Sequence, residues 1–226
     1  SSTGSESVAI GRQAQSSYDA AIAIGQNATA TMNRSIAIGS QSEGYGPVCV
    51  ALGAYAKGLA AYTIAVGYYS KANATSSVAM GYSAIGSAND AIAIGHLSLA
   101  NRPKTTAIGL SATATGTYSI AVGTTSSASY SGSIAMGYNA TASNTYALCI
   151  GYAGTASGKY STCVGGSEAS GEHSTSIGGG HALDTETIAI GTNARATPSY
   201  ATAIGRQTKA YGSYSIAMGY RAEAPQ

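Results

Sequence analysis

Ser35-Ile36-Ala37-Ile38-Gly39 sets two bulky aliphatic residues around one alanine and closes on glycine, and this unit returns sixteen times between Gly11 and Gly219. From Gly11 to Gly165 the closing glycines are fourteen residues apart for eleven consecutive steps, followed by steps of thirteen, thirteen, fourteen and fourteen. A short fixed period over nearly a whole chain describes a solenoid, in which each repeat covers only its neighbours and no pocket is assembled from distant segments. That organisation disfavours an enzyme.

The spacing inside the unit selects the strand over the helix. The residue before the glycine is Ile, Leu, Val or Met in all sixteen units, and the residue three before it is aliphatic in twelve. Between them stands Ala in thirteen units, Cys in two and Ser176 in one. Large residues two apart follow the period of a strand. After the glycine, small residues recur three and five places on, as at Ala28 and Ala30 or Ala140 and Ala142. A coiled-coil seam needs offsets of three and four instead. Each unit therefore reads as strand, turn at the glycine, shorter strand and polar return turn, one coil of a parallel β-roll. The aliphatic pair is expected to point into the coil. The alanine between them is expected to point out, and no unit carries a charge there. An uncharged stripe of that length exceeds what monomers usually expose, so Ala9, Ala23, Ala37, Ala65, Ala93, Ala121 and Ala135 are expected to pack against other copies of the chain in a cyclic oligomer.

Composition agrees with a single repetitive domain over residues 1–226: 30 Gly, no Phe or Trp, 17 Tyr and only 9% charged residues. The 11 Lys and Arg are scattered singly against 9 Asp and Glu, which gives no cationic stripe for nucleic acid. No apolar run has the eighteen residues a membrane span needs, so no membrane insertion is expected, and Ser1–Ser7 has no signal-peptide core. Cys49, Cys149 and Cys163 stand where other units carry Ala, Ser or Thr and read as small buried residues. Cys149 and Cys163 fill the same place in consecutive units. Strands about 4.8 Å apart are within disulfide range, yet in-register neighbours on parallel strands seldom aim their Cβ atoms suitably, so free thiols are expected.

Tyrosines collect at two places. Tyr68, Tyr82, Tyr138, Tyr152 and Tyr220 follow the glycine directly, and Tyr62, Tyr118, Tyr146, Tyr160, Tyr200 and Tyr214 lie five before it. Both places are coil corners, so Tyr68 with Tyr82, and Tyr138 with Tyr152, are expected to stack. Such exposed ladders suit a protein or glycan partner, and otherwise stiffen the turns. The rhythm breaks over about residues 165–190, where an extra residue is expected in the first turn and a shortened return turn. Glu168, Glu172, His173, His181, Asp184 and Glu186 crowd into this stretch without the spacing of a metal site. No phosphate loop or supported Ser, His and Asp grouping occurs, and neither a cofactor nor a metal is expected.

Ser7–Gly11, Ala21–Gly25 and Ser35–Gly39, each with small residues three and five places on, resemble the head repeats of YadA-like trimeric autotransporter adhesins. The resemblance spans residues 7 to 226. It implies an all-β, left-handed parallel β-roll of about sixteen 14-residue coils, trimeric, carried outside a bacterial outer membrane. There it would grip a host matrix protein, receptor or glycan without catalysis. No neck, stalk or anchor barrel follows Arg221–Gln226, so a head fragment is expected. A virus or phage fibre on a virion surface, or a passive spacer, is the alternative.

Overall fold

The computed structural model describes residues 1–225, and among them every regular element is a strand. The chain divides into two compact units, Ser1–Thr115 and Gly116 onward. In the first, β1 (Val8–Ile10) is followed by the two-residue β2 (Gln15–Ser16), and this pair repeats to β15 (Thr106–Ile108) and β16 (Thr113–Ala114). Three-residue strands form one parallel ladder and two-residue strands another, each in register with its equivalent one coil on. Val8 lies beside Ile22, Ile22 beside Ile36, and Gln15 beside Thr29. Hydrogen bonds thus run between coils, as from Ile22 N–H to Ser35 O at 2.9 Å. The second unit, β17 (Ile120–Val122) and β18 (Ser127–Ala128) through β31 (Ile216–Met218) and β32 (Glu223–Ala224), repeats the scheme. The strands fall where the repeat places them, in sixteen coils of a parallel β-solenoid.

The two faces of the longer strand are the reverse of the sequence expectation. Ala23, Ala37, Ala65, Ala93, Ala121 and Ala135 are 0% exposed inside the single chain, and Ala9 packs against the same interior at its end. Their flanking aliphatics face out: Ile38, Ile64, Met80 and Ile94 are 36–40% exposed. The alanines named for inter-subunit packing therefore form the coil's core and cannot touch another copy. The cause is the width of the coil. Only two residues separate the closing glycine from the next inward side chain, which holds the ladders too close for a layer of Ile. Four small residues per coil fill the space, for example Ala21 and Ala23 against Ala28 and Ala30, all 0% exposed. At Thr63 and Cys49 the bulkier inward side chain faces a glycine. A β-carbon on Gly58 would lie 3.1 Å from Thr63 Oγ1 and 3.3 Å from Cys49 Cβ.

Many inward hydroxyls donate to a carbonyl of their own turn, since a buried polar group without a partner costs free energy, whereas the buried Ser119, Ser174 and Ser176 hydroxyls make no hydrogen bond. Ser35 Oγ donates to Met32 O at 2.7 Å, Ser70 Oγ to Gly67 O at 2.9 Å, and Thr105 Oγ1 to Arg102 O at 2.7 Å. Both turns of a coil pass through the left-handed region, at Asn27 (φ 56°) and Arg34 (φ 56°) for instance. The closing glycine is fixed twice over. Gly25 has φ 134°, and a β-carbon there would come within 2.5 Å of Gly39 O in the next coil.

Two coils of the second unit depart from this plan, in the opposite sense to the sequence expectation. They are bounded by β23 (Thr162–Val164), β25 (Thr175–Ile177) and β27 (Ile188–Ile190), with β24 (Glu168–Ala169) and β26 (His181–Ala182) between. A regular first turn closes with Ala28 N–H on Gly25 O, three residues back. Here Ser167 N–H donates to Gly165 O, two back, at 2.8 Å. The first turn has lost a residue rather than gained one. The return turn keeps its length, with Ser174 N–H on Gly171 O as Ala21 N–H is on Tyr18 O.

All three cysteines are buried free thiols. Cys149 and Cys163 are register partners, and the Cys149 thiol donates to the Cys163 sulfur at 3.1 Å.

Candidate functional site: the aromatic corners

The outward residues of the turns carry the chemistry that the small-residue core cannot. In the first unit, Tyr68 and Tyr82, 44% and 48% exposed, stack with centroids 5.6 Å apart and planes 21° off parallel. His96 continues the column beyond Tyr82 at 4.9 Å and 13°. Tyr55 and Tyr69, one residue further into the turn, stack at 4.5 Å, and Tyr68 meets both edge-on. Five rings thus form one exposed cluster. The phenol of Tyr69 is held above its ordinary pKa by desolvation first and by Tyr68 and Tyr55 second. In the second unit Tyr138 and Tyr152 stack at 5.2 Å, as the sequence pairing expects.

The return turns carry a second set. Tyr146, Tyr160 and His173 stack in sequence at 5.4 and 4.8 Å, and Tyr200 stacks on Tyr214 at 4.7 Å. These residues occupy the left-handed position of the turn, with φ from 55° at Tyr146 to 64° at Tyr200. That conformation costs a non-glycine residue about 1–2 kcal/mol, and an aromatic pair returns about 0.5–1.5 kcal/mol. Stacking therefore stabilises the turn itself. It also covers the ring faces within each column, so a partner meets ring edges and a row of phenolic hydroxyls. Lys159 Nζ lies 5.0 Å from the Tyr160 centroid and adds positive charge at that corner.

Single-residue reading missed His96 and His173 as members of these columns, and Tyr55 and Tyr69 as their flank. Aligning the repeats by position shows the two histidines, which continue tyrosine columns at Gly95+1 and Gly178−5. The six acidic and histidine residues of the irregular coils do not converge. Glu168 Oε2 and His181 Nδ1 are 3.3 Å apart on the short-strand ladder, whereas Glu172, His173, Asp184 and Glu186 lie on return turns. Among the described residues no group of three or more His, Cys, Asp or Glu is arranged to hold a metal ion.

The family described as YadA head domain repeat (2 copies) matches residues 2–28, 19–42, 60–84, 87–112, 103–126, 131–153, 185–208 and 199–222. Both shortened first turns, at Gly165 and Gly178, fall between these matches. A search of curated proteins finds no match. Since the matched segments cover most of the sequence and their closing glycines fall at the same place in successive coils, the chain belongs to the YadA head domain family.

Proposed function

We propose that this chain is the head of a trimeric autotransporter adhesin, displayed outside a bacterial outer membrane and attaching the cell to a host matrix protein, receptor or glycan. Family membership is the observation that carries this reading. The outward face of the longer strands supports the trimer. Ile22, Ile24, Ile36, Ile38, Val50 and Leu52 run along it without a charge, although the coil interior has no need of them. Their burial between three left-handed rolls removes from water an apolar stripe that a soluble monomer would otherwise expose. The aromatic corners supply the adhesive surface, since Tyr gives contact area and a hydroxyl at small entropic cost. Tyr68 and Tyr82 carry it in the first unit, and Tyr138 and Tyr152 in the second.

Two measurements test the reading separately. Sedimentation of the recombinant head should give three times the chain mass, and a lone folded subunit would refute the trimer. Titration over immobilised matrix proteins and glycans should give saturable binding that Tyr68→Ala with Tyr82→Ala weakens. An absence of saturable binding to any of them would leave the head a spacer.

A further inference from the structure

We propose that Cys149 and Cys163 are a modification site: in an oxidising medium they close into a disulfide that staples two consecutive coils of the second unit. The two residues are register partners in the column that elsewhere holds inward alanine, and their sulfurs are 3.1 Å apart. That is about 1 Å beyond a covalent S–S bond, and neighbouring parallel strands put Cα atoms about 4.8 Å apart, within the range a disulfide spans. The surrounding coil is shaped for the pair. A β-carbon on Gly154 would lie 2.5 Å from Cys163 Sγ and 2.9 Å from Cys149 Sγ, so the sulfurs fill the room that Ala28, Ala56 and Ala140 take at the same place in other coils. Cys49 has no such neighbour, because the equivalent positions one coil to either side are Ser35 and Thr63.

The oxidant is a small-molecule disulfide of the glutathione class. One cysteine thiolate attacks it, its S–S bond breaks, and one thiol leaves. The second cysteine, its proton already released, then attacks the mixed disulfide as a thiolate, and the second small thiol departs as a thiolate that takes up a proton. Two cysteine thiols are oxidised and one disulfide is reduced to two thiols. Because both sulfurs are 0% exposed in the finished coil, the first exchange takes place before the coil docks on its neighbour. Docking then brings the second sulfur into range.

The test is to refold the full chain in mixed oxidised and reduced glutathione, denature it, alkylate and weigh it. One alkyl group, on Cys49, is expected instead of three, with a peptide linking Cys149 to Cys163 and recovery of all three thiols on reduction. Cys163→Ala, and separately Cys149→Ala, install the residue most coils carry there and should each leave two alkylatable thiols. Closing a loop of this length should favour the folded state roughly a hundredfold. The oxidised protein should therefore melt above the reduced one, with no such difference in either variant. Three alkylated thiols, a stable glutathione adduct, a link to Cys49 or equal melting points would overturn the proposal.

Discussion

Gly39 in the first unit and Gly178 in the second both close a coil, yet for different physical reasons. At Gly39, φ is 134° and a β-carbon would sit 2.5 Å from the Gly53 carbonyl group. At Gly178, φ is 69° and the nearest atom to that same β-carbon is 4.0 Å away. In the regular coils the glycines stack so closely that the first turn has room for nothing else. Where the first turn loses a residue, at Gly165 and Gly178, φ falls to 83° and 69° and a β-carbon would make only ordinary van der Waals contacts, although the hydrogen bond to the next coil is kept, as from Gly191 N–H to Ile177 O at 2.8 Å. What separates the two regions is how the first turn meets its neighbour, because strand register continues through both: Thr162 pairs with Thr175 as Ile22 pairs with Ile36.

The largest effect expected is on the core that both regions share. Ala93→Glu places a carboxylate at a site that is 0% exposed, at a cost of several kcal/mol, and should abolish the cooperative melt seen by circular dichroism. Ile94→Glu, one residue away on the outward face, should leave the strand spectrum intact and convert the sedimenting species to single chains. If both variants only dissociated, the assignment of faces would be wrong. Next comes the glycine contrast itself. Gly39→Ala combines a forbidden φ with backbone overlap and should cost at least about 3 kcal/mol. Gly178→Ala meets strain alone, about 1 kcal/mol. Equal losses in chemical denaturation would erase the distinction between the two turns.

Period, strand positions and ladder order could all be read from the sequence, because spacing alone decides them. Which face is the core could not be read so easily, because hydrophobicity points to Ile and the coil's width selects Ala. A volume argument was nevertheless available in the letters: Gly58 stands opposite Thr63, and Gly154 opposite the two cysteines. The shortened turn at Gly165 was ambiguous for a related reason. Gly166 offers no side chain by which to align it, so one missing residue can be assigned to either turn until Ser167 is seen pointing inward. The tyrosine pairs were legible because identical residues recur at one place. His96 was harder to see, since it belongs to the column by position and by its flat ring rather than by residue type.

The aromatic columns respond to smaller changes and differ between the regions in the same way. Tyr82 is sandwiched between Tyr68 and His96 on regular coils, so Tyr82→Ala should cost about 1–2 kcal/mol through two lost stacks. His173 ends its column on an irregular coil, with Tyr160 as its stacking partner. His173→Ala should cost about half as much, measured as the shift in denaturation midpoint at constant slope.

The smallest effect expected is on the short-strand ladder, where acidic side chains sit against cations on regular coils, as at Glu43 with Lys57 and Glu223 with Lys209, and on an irregular coil at Glu168 with His181. Glu43 and Lys57 are 2.8 Å apart with side chains 25% and 31% exposed, and Glu168 and His181 are 3.3 Å apart with 47% and 42% exposed. Solvent screens both pairs, but the first is shorter and drier. Glu43→Gln should cost about 0.5–1 kcal/mol in dilute buffer and less in molar salt, which weakens interactions between solvent-accessible charges. Glu168→Gln should cost less than that in the same buffer, because its pair with His181 is longer and more exposed to solvent. A larger loss at Glu168 than at Glu43 under those conditions would mean that the irregular coils lean on their charges where the regular coils lean on packing.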